Sequence, residues 1–234
     1  MDDVAVAQWR EDWVTGKVRM VLSFGAGAVD VPGYGEATLI LCAVLSAIAS
    51  EVWPGKAKDR ARFVELLVRY TPPELRATTI SVPLLEAWLR GGKHTVEAQD
   101  VRNTLIRYFD SRVLQGEEVD VTEDVILEAN PTLRVADVRS FSYAALLYSE
   151  LRSGYAHEYQ PGNRAVSWSM SSNPHSMVCY ANQIDPATRK PERLIHFSVP
   201  WMAELATHAE QLTKGVAPDP SFQDWWFSGR NNSR

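Results

Sequence analysis

The run from Ala37 to Trp53 constrains this chain most. It is about 17 residues long, and only Thr38, Ser46, Ser50 and Glu51 interrupt its apolar character. A membrane-spanning helix needs about 20 residues with few polar breaks, so the run predicts no span. A helix over Glu36–Trp53 is apolar almost all the way round, and such a helix must be buried on most sides. It belongs in the centre of a bundle or at a subunit interface. Pro54-Gly55 ends it.

The neighbouring segments read as partners for that helix. Asp2 and Asp3 can cap a helix to about Leu22, with Val6, Trp9, Trp13 and Val14 near helical spacing. A loop rich in glycine, Gly25 to Gly35, precedes the apolar helix. Asp59–Tyr70 is amphipathic through Phe63, Leu66, Leu67 and Tyr70, and Pro72-Pro73 closes it. Short helices are predicted over Ser81–Arg90 and Arg102–Leu114. A long one, capped by Asp137, runs to about Tyr159 with Val138, Phe141, Ala145, Tyr148, Arg152 and Tyr155 on one face.

The period then drops to two. Val166, Trp168 and Met170 alternate with serines, and Met177–Asn182 and Arg193–Val199 follow across turns at Asn173-Pro174 and Asp185-Pro186. Pro200 opens a last helix that runs to Lys214 and stops at Gly215. The fold class is therefore mainly α: one helical-bundle domain over 1–214, with a small antiparallel β-meander (164–199) inserted before the last helix. The tail 215–234 reads as a flexible end with an aromatic anchor at Trp225, Trp226 and Phe227.

Composition narrows the function. The 234 residues fit one generous domain, and 45% apolar content with eight Trp excludes wholesale disorder. With 24 Lys+Arg against 29 Asp+Glu, the net charge of −5 argues against a generic DNA-coating protein. Contact with nucleic acid would have to be local, and the basic run through Lys56, Lys58, Arg60, Arg62 and Arg69 is the candidate. Two cysteines make neither a disulfide framework nor a zinc cluster. The start Met1-Asp2-Asp3 lacks the basic opening of a secretory signal, so the expectation is a cytoplasmic protein without membrane attachment. The acidic block from Glu117 to Glu128 matches no calcium loop and reads as a solvated face.

No P-loop, nucleophile elbow or zinc-protease motif is present. One segment does carry chemistry: Leu146-Leu147-Tyr148-Ser149-Glu150-Leu151-Arg152-Ser153-Gly154-Tyr155-Ala156-His157-Glu158. A histidine titrating near neutrality can take the proton of a ribose 2′-hydroxyl or protonate the leaving oxygen. An arginine offers a planar, permanently charged fork to the reacting phosphate. Five residues apart on a helix, the two point about 140° away from each other. They converge if the helix loosens near Gly154, if Arg152 reaches round, or across a dimer. Structural roles suit them as well: Arg152 can pair with Glu150 or Glu158, and His157 can sit on the helix C-terminus. A second Arg–His pair, Arg189 and His196, falls across a turn and strand and is set aside.

With its Arg152 and His157 late in a bundle helix, this segment resembles the signature of the HEPN superfamily (higher eukaryotes and prokaryotes nucleotide-binding). Glu36–Trp53 followed by Asp59–Tyr70 is similar to the opening helix pair of such domains. The resemblance spans roughly residues 34 to 214. It implies a homodimer whose motifs face a shared cleft, and in many members a metal-independent endoribonuclease, often a toxin or defence effector paired with an antitoxin. By position, Arg152 would stabilise the phosphate and His157 would be the acid/base, with Ser153, Tyr155 and Glu158 in support. The family commonly has Asn, Asp or His where this chain has Ser153. The alternative it implies is an inactive scaffold that binds nucleotide, RNA or a protein partner. No metal or cofactor is implied in either case.

Overall fold

The computed structural model describes residues 3–24, 33–55, 59–105, 113–166, 177–184, 189 and 191–228. Helices α1 (Asp3–Leu22), α2 (Tyr34–Val52) and α3 (Asp59–Arg69) come first. Next are α4 (Val82–Gly91) and α5 (Thr95–Leu105), strand β1 (Val113–Gln115), and three short helices, α6 (Gly116–Val119), α7 (Glu123–Ala129) and α8 (Val135–Arg139). A single helical rod follows, made of α9 (Tyr143–Leu146), a π-helical stretch (Leu147–Arg152) and α10 (Ser153–Glu158). Strands β2 (Val178–Ile184) and β3 (Pro191–Phe197) lead into α11 (Val199–Thr213).

The apolar run takes the central place its composition requires. Helix α2 packs against α1, α3, α11, α10 and the π-helical stretch. Leu41, Val44 and Leu45 are fully buried. Among the described residues α2 is also the one helix long and apolar enough to cross a membrane, and half of it is buried inside the bundle. Arg10 locks α1 onto this centre by ion pairs to Glu210 (2.6 Å) and Glu51 (3.0 Å). Ser198 caps α11 by accepting from the Trp201 N–H, with Pro200 in the first turn.

Two predicted helices differ. Over Arg102–Leu114 the described helix covers residues up to Leu105, residues 106–112 lie outside the described set, and Leu114 is a buried strand residue opposite Tyr180. The helix predicted from Asp137 to Tyr159 is broken between Arg139 and Tyr143. There residues 77–81 claim the backbone: Tyr143 and Ala144 donate to the carbonyls of Thr79 and Ala77, and Ser81 donates to that of Phe141. Ser142 then caps α9.

The sheet is antiparallel with strand order β1-β2-β3. Seven pairs join β2 and β3, from Val178–Phe197 to Ile184–Pro191. The third strand is β1, about sixty residues earlier, in place of the predicted Val166–Met170, of which residues 167–170 lie outside the described set. Ala165 and Val166 instead bridge to Ile195 on the far side of β3. Tyr180, Ile195 and Phe197 are fully buried in the helical core, so the strands are built into the bundle.

Most of the acidic block is the expected solvated face, with Glu117, Glu118, Asp124 and Glu128 exposed and Glu123 half-buried, but Asp120 departs from it. Asp120 is 4% exposed and accepts from the hydroxyls of Tyr143 (2.6 Å) and Tyr180 (2.5 Å) and from the Val82 N–H (3.0 Å). Gly116 makes room for this, because a Cβ there would overlap the Tyr143 hydroxyl. The tail, through Ser228, is docked rather than loose, with Phe222, Trp226 and Phe227 packed on the core.

Candidate functional site

Arg152 is the last residue of the π-helical stretch, a local widening that recurs at functional sites. Its guanidinium points to the start of α3, where a terminal nitrogen meets Asp59 Oδ2 at 2.7 Å. It also lies 5.4 Å from the Tyr148 ring centre and 3.5 Å from the Ser46 hydroxyl of α2. The Tyr148 hydroxyl donates to the same Asp59 oxygen at 3.0 Å. Burial, then the charge and hydrogen bond of Asp59, raise the Tyr148 pKa. Arg152 therefore pairs with a residue of another helix, and neither Glu150 nor Glu158 is its partner.

His157 is exposed and makes no hydrogen bond or ion pair with the described residues. The turn between it and Arg152 is ordinary α-helix, so the two side chains keep their divergence of about 140°. The helix does loosen, but upstream of Arg152 and not at Gly154. One chain does not bring the pair together. Ser153 is half-buried; Glu158 is exposed and accepts from Gln160 at 3.5 Å. Tyr155 is buried against Gly35, its hydroxyl has no hydrogen-bond partner among the described residues, and burial pushes its pKa up to about 12.

Gly154 has a different job. A Cβ on it would meet the Gln160 carbonyl oxygen at 2.5 Å and the Gly162 nitrogen at 2.9 Å. Bare backbone at this point lets the chain fold back along α10. Gly162 N–H then donates to the Glu150 carbonyl, and Arg164 reaches the buried Glu150 carboxylate with Nε (3.0 Å) and a terminal nitrogen (2.5 Å).

That return closes one side of a cleft of about 470 Å³ beside the π-helical stretch. Trp88 and Phe141 supply aromatic surface, Tyr148, Ser140, Ser149 and Ser153 supply hydroxyls, and Arg60 and Arg164 supply positive charge. Its one lining carboxylate, Asp137, is already held by both forks of Arg134. Among the described residues Arg60 has no carboxylate partner; its guanidinium lies 4.5 Å over the Phe227 ring. Trp88 is 40% exposed, unlike Trp53 and Trp201, which are core.

Of the basic run, Lys56 and Lys58 lie outside the described residues. Arg62 donates to the carbonyls of Trp53 and Gly55 and so finishes α2, and Arg69 pairs with buried Glu65. Among the described members of the run, Arg60 alone lines the cleft. Trp88, Phe141 and Arg164 carry no sequence signal as site residues, because they come from three separate segments. The Cys179–His196 contact (3.6 Å) is not a nucleophilic pair. Burial pushes the thiol up to about 12 and the imidazole down to about 4, the reverse of a thiolate beside an imidazolium.

Comparison with protein-family models, curated proteins and solved structures finds no match to this chain.

Proposed function

We propose that the protein is a HEPN-like helical scaffold that binds a nucleoside phosphate, free or as part of RNA, in the cleft beside the π-helical stretch. The observation that carries this reading is an unneutralised Arg60 facing the same cleft as the exposed indole of Trp88. A base stacks on an aromatic face whatever its identity, and guanidinium forks suit phosphate oxygens. The cleft volume falls in the range of small-ligand sites. Arg152, tied to Asp59, is less available to a phosphate than Arg60.

The test is equilibrium binding of ADP, pyrophosphate and a short single-stranded RNA. Arg60→Ala should weaken all three about tenfold or more. Trp88→Leu should weaken ADP and RNA by a similar factor and leave pyrophosphate nearly unchanged. Equal binding by wild type and both variants overturns the reading.

A second reading rests on His157, which stands exposed with no partner among the described residues. In it, a homodimer faces His157 of one copy with Arg152 of the other and cleaves RNA by 2′-hydroxyl attack. Such cleavage persists in EDTA, spares DNA and leaves 2′,3′-cyclic phosphate ends. His157→Ala should lower its rate about 10²–10⁴-fold. Undiminished cleavage in that variant removes this reading.

A further inference from the structure

After α11 the chain does not leave the bundle. Asp219 N–H donates to the Val52 carbonyl at the end of α2, and Phe222 meets the Trp53 ring edge-on. The N–H groups of Trp225 and Trp226 then both donate to one oxygen of Glu65, at 2.7 and 2.5 Å. Glu65 is 1% exposed, and its other oxygen holds Arg69, whose guanidinium lies 3.4 Å from the Trp225 ring centre. Arg139 donates to the Trp226 carbonyl and sits under the Trp226 ring. Asp224 accepts from the Phe227 N–H and closes the turn.

The hydrogen bonds to Val52, Glu65, Arg139 and Asp224 hold the backbone leading into Phe227. Its ring lies 4.5 Å from the guanidinium of Arg60, which lines the cleft. A cation over a ring face is attracted by the ring quadrupole, while its N–H donors lie in the guanidinium plane and stay free. The stack therefore restrains Arg60 without consuming its capacity to bind an anion.

We propose that the C-terminal segment Asp219–Ser228 braces the cleft through Arg60, with Phe227 as the positioning residue that pre-orders this arginine for a phosphate group. This rests on the cleft being the ligand site. A free arginine must be immobilised when an anion binds, and a stacked one already is. Coupling is reciprocal, so phosphate on Arg60 also tightens the segment onto Glu65.

The experiment compares Phe227→Leu, which keeps apolar packing without a π face, with Phe227→Trp, which keeps the face. Binding of ADP and pyrophosphate should fall about three- to tenfold in the leucine variant and be retained in the tryptophan variant. In an Arg60→Ala background the two should be indistinguishable. ADP should slow hydrogen exchange at the Trp225 and Trp226 amides of wild type but not of Arg60→Ala, a response that packing alone does not produce. Unchanged unfolding midpoints in both Phe227 variants exclude a folding defect as the source. Binding that is lost in Arg60→Ala yet intact in Phe227→Leu overturns this proposal and leaves the cleft reading standing. No binding by wild type overturns both.

Discussion

Arg152 and Asp59 meet at 2.7 Å between the π-helical stretch and α3, and the Tyr148 hydroxyl shares the same carboxylate oxygen. This places the most conspicuous charge of the Arg152–His157 segment inside a three-residue cluster on the bundle wall. The pair is partly exposed, with side chains 23% and 33% accessible, so screening keeps its stabilising effect small. Its larger consequence is positional, because the ion pair sets which way the guanidinium faces.

Asp59→Asn tests that consequence. Stability should change by less than about 1 kcal/mol, the usual range for exposed pairs. The Tyr148 pKa should drop part of the way toward its ordinary value, since burial, the larger cause, remains. Ultraviolet titration against a Tyr148→Phe control reads this directly. A Tyr148 titration unmoved by the substitution would show that the cluster does not form in solution.

Asp120 gives a stability profile of unusual sign for a carboxylate. Burial outweighs its hydrogen bonds to Tyr143, Tyr180 and the Val82 N–H and raises its pKa from 3.8 to about 7. Between those values the folded chain holds a proton that the unfolded chain has lost. Its contribution therefore weakens as pH rises from about 4 to about 7, by at most about 1.4 kcal/mol per unit. Asp120→Asn should remove this slope. Denaturant midpoints measured across that window check it.

His196 slopes the other way. Burial lowers its pKa from 6.5 to about 4, so between those values only the unfolded chain is protonated. Stability from this residue is complete above about 6.5 and is lost on acidification toward pH 4. In wild type the two residues oppose each other over the shared window. Asp120→Asn should expose a chain that weakens in acid, and His196→Phe one that weakens as pH rises to 7. Parallel profiles for the two variants would contradict both assignments.

The sequence made the bundle legible where the pattern was local. Helices α1, α2, α3 and α11 follow from periodicity, capping residues and Pro or Gly stops, and their ends fall within a few residues of the predicted ones. Strand β1 was invisible because three residues carry no period and its pairing partner is far along the chain. The break before Tyr143 was invisible for the same reason: residues 77–81 take the backbone hydrogen bonds that would have continued the helix. Arg152 and His157 could be found, but not their directions, since Asp59 and the regular turn of α10 set those. The cleft as a whole had no sequence signature. Arg60 stood out within the basic run, but nothing in the sequence joined it to Trp88 or to Arg164, which the chain return past Gly154 brings in.

Gly154→Ala separates two explanations of that glycine by sign. In an open helix position alanine is favoured over glycine by about 1 kcal/mol, so a glycine present only to loosen the helix would be improved by the change. Here the new Cβ would stand 2.5 Å from the Gln160 carbonyl oxygen and 2.9 Å from the Gly162 nitrogen. Both are backbone atoms and cannot swing aside as a side chain would. Relief requires residues 160–162 to move off α10, which strains the Gly162-to-Glu150 hydrogen bond and draws Arg164 away from the buried Glu150. Overpacking of this kind costs about 1–3 kcal/mol and more than cancels the propensity gain. The variant should unfold at lower denaturant than wild type, and it should also bind ADP more weakly, because Arg164 lines the cleft. Gly162→Ala, which crowds Glu150 from the other side, should reproduce both effects. A Gly154→Ala protein more stable than wild type would show that the return of the chain over α10 is not held as described.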